Sequence, residues 1–200
     1  EDIIDNMIRN LAKLAVDNGG LLTPLIIPGN LTDGTGLCNV SIYKEKDGRL
    51  IANIRHVHYT LYHAEFNQKF YCKYGTLSYL NPEDDIKLRT GNYLCNLNSD
   101  TLEVETYQKI DTSKHDIKPV WTFIGLEDVR IFRWNDIFYA CGVRRDVKPD
   151  GEGRMELCEV HWDEDVCKEI TRDRIEVDPH TYLEKNWMPV LDMPYHFIRW

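Results

Sequence analysis

The residues best suited to chemistry stand in FIGLEDVRIFRWNDIFYACGVRRD, Phe123 to Asp146. Glu127 and Asp128 adjoin there at the mouth of an apolar run, with Arg130 just beyond. Burial and a like charge next door both raise a carboxyl pKa, which makes a proton donor that works near neutral pH. Cleavage of a glycosidic bond needs such a donor to protonate the leaving oxygen. Asp128 is the candidate acid, and Arg130, one pleat along, is the expected restraint on Glu127. The competing reading is a surface Glu-Asp pair capping a turn.

Three further groups fit an anionic or sugar ligand. In EKNWMP, Lys185 and Asn186 precede Trp187, so an ammonium and an amide can take oxygens while the ring stacks on a sugar face; a solvated turn before a core tryptophan explains them equally. In NIRHVHY, Arg55 suits a clamp on hydroxyls or a carboxylate. His56 and His58 share a face by alternation but lack an evident third ligand, so no metal is expected. Arg144 and Arg145 can hold a phosphate, unless Asp146 and Asp150 neutralise them. There is no GxxxxGK[ST], GxGxxG after a strand, GxSxG or HExxH, so kinase, dehydrogenase, serine-hydrolase and zincin readings have no support.

The elements that must carry these residues are mostly short strands. Ile3 to Val16 has helical apolar spacing, ended by Asn18-Gly19-Gly20, and its stripe is expected to pack on the rest of the protein. From residue 37 five hairpins follow: 39–59 with Asp47-Gly48 in the turn, 93–110, 129–143 around Asn135-Asp136, 154–177, and 188–200. LCNVSIY, LEDVRIF and EKNWMPV can be superimposed, each placing a polar anchor (Asn39, Asp128, Asn186) before an apolar strand. The intervals are unequal, and an insertion near Asn81 to Asn92 is expected to lengthen the first unit. Repeated meanders predict an all-β fold, a β-propeller of about two and a half blades behind an N-terminal helix and lead-in (1–36), with 37–200 as the propeller part. A β-sandwich is the alternative. In a propeller, first strands line a central channel, so anchors distant in sequence meet.

The chain has 200 residues, 42% hydrophobic, with a net charge of -9. That suits one folded domain, and the acidic balance disfavours nucleic acid. No apolar run is long enough to span a membrane. None of the six cysteines forms a CxxC pair or a zinc spacing, so reduced core thiols and a cytoplasmic, reducing compartment are expected. The ends, Glu1-Asp2 and YHFIRW, read as cuts in a longer protein.

At GLEDVR, EKNWMP and NVSI…IANIRHVHY the sequence resembles the five-bladed β-propeller glycosidase superfamily, most of all the β-mannoside phosphorylases and hydrolases of glycoside hydrolase family 130. The resemblance covers roughly residues 37 to 200, the first half of such a propeller. It implies Asp128 as general acid, Asn39, Ser41 and Arg55 as contacts to the sugar, and Lys185 with Arg144 or Arg145 as holders of phosphate. Glu127, Arg130, Asn186 and Trp187 complete the expected substrate site. The implied reaction is inverting phosphorolysis or hydrolysis of β-mannosides or related oligosaccharides, with no cofactor beyond phosphate as co-substrate. Val129 and Val40 depart from the family's motifs, and further blades, with another sugar-binding Asp, would lie beyond this chain. The alternatives are a non-catalytic glycan-binding propeller and a structural propeller that binds protein.

Overall fold

The structure, a computed structural model, describes residues 11–28, 31, 36–60, 70–72, 75–79 and 88–199. The chain is mostly strand, in antiparallel sheets. The first sheet has the order β1-β2-β6-β7, and its strands are β1 (Gly36–Lys44), β2 (Leu50–Val57), β6 (Leu88–Leu97) and β7 (Val104–Lys109). Between β2 and β6 the chain makes a separate three-stranded sheet of β3 (Tyr59–Thr60), β4 (Phe70–Cys72) and β5 (Gly75–Tyr79). That excursion is what lengthens the first unit. Leu88 to Asn92, expected within an insertion, belong to β6, and 81–87 lie outside the described residues.

The short β8 (Phe123–Ile124) runs parallel to the start of β6. The second sheet is a four-strand meander of β9 (Leu126–Trp134), β10 (Ile137–Arg144), β11 (Arg154–Trp162) and β12 (Cys167–Arg174). β13 (Met188–Pro189) and β14 (Phe197–Ile198) form a third, two-stranded sheet. All five expected hairpins are present. The β9–β10 turn has positive φ at both Asn135 (49°) and Asp136 (64°). A two-residue hairpin turn of that kind matches strand twist, and Asn and Asp tolerate it.

Alternation along β9 explains the layering. Val129 and Ile131 face a core shared with Ile51 and Leu94 of the first sheet. Phe132 and Trp134 point the other way, into a core with Tyr139, Met155 and Trp187, against which Phe197 packs. The second sheet thus packs an apolar layer on each face along β9, β10 and β11, while the edge strand β12, CKEITRDR, is charged and partly exposed. The outer face of the first sheet, with Ala52, Ile54 and Cys95, is covered by Ile27 and Leu25 of the lead-in.

Residues 11–17 are helical, and Gly19 (φ 81°) ends the helix; residues 3–10 of the expected helix lie outside the described residues. Among the described residues the expected packing of its stripe does not occur: Leu11 and Leu14 are each 59% exposed. The free cysteines Cys95, Cys141, Cys158 and Cys167 are buried as expected, Cys38 is half-buried, and Cys72 is not described. No helix among the described residues is long and apolar enough to cross a membrane.

Candidate functional site

The three polar anchors share one backbone device. Asn39 (φ 49°), Asp128 (φ 52°) and Asn186 (φ 63°) all adopt the left-handed conformation, which Asn and Asp reach more readily than other side-chain-bearing residues. The β1–β2 register slips between Cys38 and Ser41, and the β9–β10 register slips opposite Asp128, between Cys141 and Val143. A bulge of this kind re-aims a side chain out of strand alternation. On β10, Gly142 lies flush against the bulge: a Cβ there would come within 2.5 Å of the Glu127 carbonyl oxygen.

β1 packs beside β9, so two of the anchors meet. Asn39 Nδ2 donates to Asp128 Oδ1 at 2.7 Å. Arg55, buried on β2, donates from one terminal nitrogen to the same oxygen at 2.8 Å. Its other terminal nitrogen donates to Glu127 Oε2 at 2.8 Å, and Nε and that nitrogen also reach Thr90 Oγ1 at 3.2 and 3.1 Å. One guanidinium therefore spans two neighbouring carboxylates. Arg55 is the carboxylate clamp; the role expected of Arg130 falls to it because β2 of the first sheet packs against β9 of the second. Arg130 itself makes no ion pair or hydrogen bond among the described residues and stands in register with Cys141.

The turn is held from behind by two buried asparagines. Asn53 Nδ2 donates to Asn92 Oδ1 (3.0 Å), and Asn92 Nδ2 donates to the carbonyl of Leu126 (2.9 Å), just before Glu127. Ser41 Oγ accepts from the Ile131 backbone N–H at 3.1 Å, so its hydroxyl ties β1 to β9. The sequence reading missed Thr90, Asn53 and Asn92. Their available signal was a polar residue at a core position of a strand, as Asn53 is within LIANIRHV.

The two carboxyls differ. Burial pushes the Glu127 carboxyl up, against the pull of Arg55, and the Asp128 charge adds to the rise. Glu127 Oε1 is buried without a hydrogen-bond partner among the described residues. Asp128 is more open, at 28% side-chain exposure, and both its hydrogen bonds fall on Oδ1. Oδ2 accepts no hydrogen bond among the described residues. Burial also raises the Cys38 thiol, which lies within reach of the Arg55, Asp128 and Glu127 charges.

Arg145 stands close enough to lower the Glu127 carboxyl. Its guanidinium is 5.1 Å from the Phe123 ring centroid and 5.9 Å from that of Tyr182, and its Nε donates to the Gly151 carbonyl. Arg144 is different: it is buried, its Nε donates to Asp146 Oδ1 at 2.6 Å, and it lies 3.7 Å from Glu156. Asp146 neutralises Arg144 inside the protein, while Arg145 makes no ion pair among the described residues.

Lys185 and Asn186 stand on the wall of a cavity of about 570 Å³ with Glu184 and Arg199. Trp187 is buried among Phe132, Trp134 and Tyr139, and its indole N–H donates to Glu184. Its ring is core, without a face for stacking on a sugar. Glu184 is buried, which raises its pKa, but hydrogen bonds from Arg199, Thr181 and Trp187 outweigh this and bring it down to about 2. The His56 and His58 rings lie together, centroids 4.4 Å apart, and the described residues include no metal-binding group of His, Cys, Asp and Glu.

No family model, curated protein or solved structure matches this chain.

Proposed function

We propose that this chain is part of a β-propeller carbohydrate-active enzyme that cleaves β-mannosides or related oligosaccharides with inversion, Asp128 serving as general acid. The observation that carries the reading is the meeting of Asn39, Arg55, Glu127 and Asp128 at the starts and ends of strands from two sheets. Two four-strand meanders and the beginning of a third sheet, each opening on a left-handed polar anchor, support the propeller.

In this reading the glycosidic oxygen sits at Asp128 Oδ2. The C–O bond breaks as the proton passes from Asp128 to the leaving oxygen. Phosphate or water forms the new bond to the anomeric carbon from the opposite face, through an oxocarbenium-like transition state. Asn39 and Arg55 fix the carboxyl by holding Oδ1, and Arg145 supplies positive charge for a phosphate. Lys185 joins them only if the third sheet opens its cavity toward the same channel.

The deciding experiment is turnover of β-1,4-mannobiose with and without phosphate. Asp128→Asn should lower kcat by about 10²–10⁴-fold. Equal turnover by Asp128→Asn and the parent would end the proposal. A non-catalytic glycan-binding role is the second reading, favoured by the full engagement of Asp128 Oδ1. It predicts that mannobiose binding survives Asp128→Asn while neither protein turns the sugar over.

A further inference from the structure

Thr90 Oγ1 accepts from Arg55 twice, from Nε at 3.2 Å and from a terminal nitrogen at 3.1 Å. It fills the fork of the guanidinium that a carboxylate takes in a bidentate pair. A hydroxyl has one hydrogen and two lone pairs. With its lone pairs on a cation, it turns its hydrogen away, and among the described residues no acceptor receives that hydrogen.

The fold ties Thr90 to the Asp128 site. β8 runs parallel to the start of β6 and leads into Gly125, which has a φ of 95°. A Cβ at Gly125 would come within 2.6 Å of the Thr90 carbonyl oxygen. Glycine lets the chain turn there and pass closely into Leu126, Glu127 and Asp128. Asp128 Oδ1 and Thr90 Oγ1 then share one guanidinium. They lie within about 8 Å of each other, two hydrogen bonds of about 3 Å plus the width of the group.

Exposure and charge narrow the ligand. On this face of β6, Leu88 and Asn92 are buried, and Thr90 between them is half-buried. Asn39 is exposed and Asp128 partly so, so three polar side chains reach solvent around the buried Arg55. One guanidinium faces two carboxyls, which disfavours an anion. The acceptor that suits a lone hydroxyl donor here is a neutral oxygen.

We propose that Thr90 is a specificity-determining residue of this site: its hydroxyl donates to a hydroxyl oxygen of the sugar bound at Asp128. The inference rests on the sugar reading of the Asp128 site. It adds that the ligand must carry a hydroxyl at the position Thr90 meets.

The test compares β-1,4-mannobiose with its monodeoxy derivatives, read as kcat/KM, or as Kd if the site binds without turnover. Thr90→Val should weaken mannobiose by about three- to tenfold, the effect of losing one neutral hydrogen bond. Thr90→Ser, which keeps the hydroxyl, should stay within about twofold of the parent. The deciding substrate is the derivative that lacks the contacted hydroxyl. Parent and Thr90→Val should handle it equally, while the gap between them persists for the other derivatives. A residue that only steadied Arg55 would weaken every sugar by the same factor; that result overturns the proposal and leaves the sugar reading standing. If Thr90→Val does not fold, Thr90→Ala, which leaves room for a water at Arg55, takes its place in the same series. A parent protein that neither binds nor cleaves mannobiose overturns the sugar reading and this inference with it.

Discussion

The starts of β9 and β13 are built on the same plan and do opposite things to a glutamate. Each has a left-handed polar residue, Asp128 or Asn186, followed by a buried apolar one, Val129 or Trp187. Beside Asp128, Glu127 shares a single arginine with a second carboxylate and keeps one buried oxygen without a partner. Beside Asn186, Glu184 receives donors from Arg199, Thr181 and Trp187 and has no carboxylate competing for them. Desolvation is the larger influence on Glu127 and hydrogen bonds prevail at Glu184, so depth of desolvation and supply of donors together decide whether a carboxyl is held charged or pushed toward its neutral form. The β13 corner is a structural lock. The β9 corner is under-supplied, which is the condition a proton-transfer site needs.

The sharpest way to break that contrast is to remove the shared arginine. Arg55→Ala leaves two adjacent carboxyls without their cation and should cost about 3–5 kcal/mol at neutral pH. Adding Glu127→Gln should recover part of the loss, seen as non-additivity in denaturant midpoints. Additive losses would mean that Arg55 does not couple to Glu127.

Next in size is the lock itself. Glu184→Gln should lower stability by about 2 kcal/mol at pH 7, since it weakens several charge-assisted bonds. The folded pKa of Glu184 is depressed from 4.5 to about 2. Its contribution is therefore complete above pH 4.5 and disappears as pH falls toward 2. Thermal melts should show the difference between parent and variant closing over that window; a constant gap would refute the lock.

Gly142→Ala should cost about 1–3 kcal/mol, because the added methyl meets the Glu127 carbonyl. It should also lower activity on mannobiose more than its stability loss accounts for, by shifting the start of β9. The smallest effect belongs to Glu127. Its folded pKa is raised above 4.5, so deprotonation removes stability as pH rises through the interval above that value. The Tm of Glu127→Gln relative to the parent should rise from pH 4 to pH 7, opposite in sign to the trend for Glu184→Gln.

Local information carried far in this chain. The Asn135-Asp136 turn, the five hairpins and the equivalence of Asn39, Asp128 and Asn186 were legible because turn residues and strand alternation act over a few positions. The readings that failed needed contacts between distant segments. Arg130 is nearer Glu127 along the chain, yet Arg55 of β2 holds it. Trp187 and Arg144 carry side chains suited to a ligand, and both are consumed in the interior. The helix at 11–17 has the spacing of a packed helix, but leucines on its stripe are exposed.

By itself the sequence determined an all-β meander with polar residues at three strand beginnings, since alternation and turn chemistry are properties of neighbouring residues. Tertiary structure alone decided that Glu127 and Asp128 share the Arg55 guanidinium and that Glu184 is locked by donors of its own. Charge, burial and donor count around a carboxyl come from strands far apart in the chain, and only packing the sheets together brings them within hydrogen-bond distance.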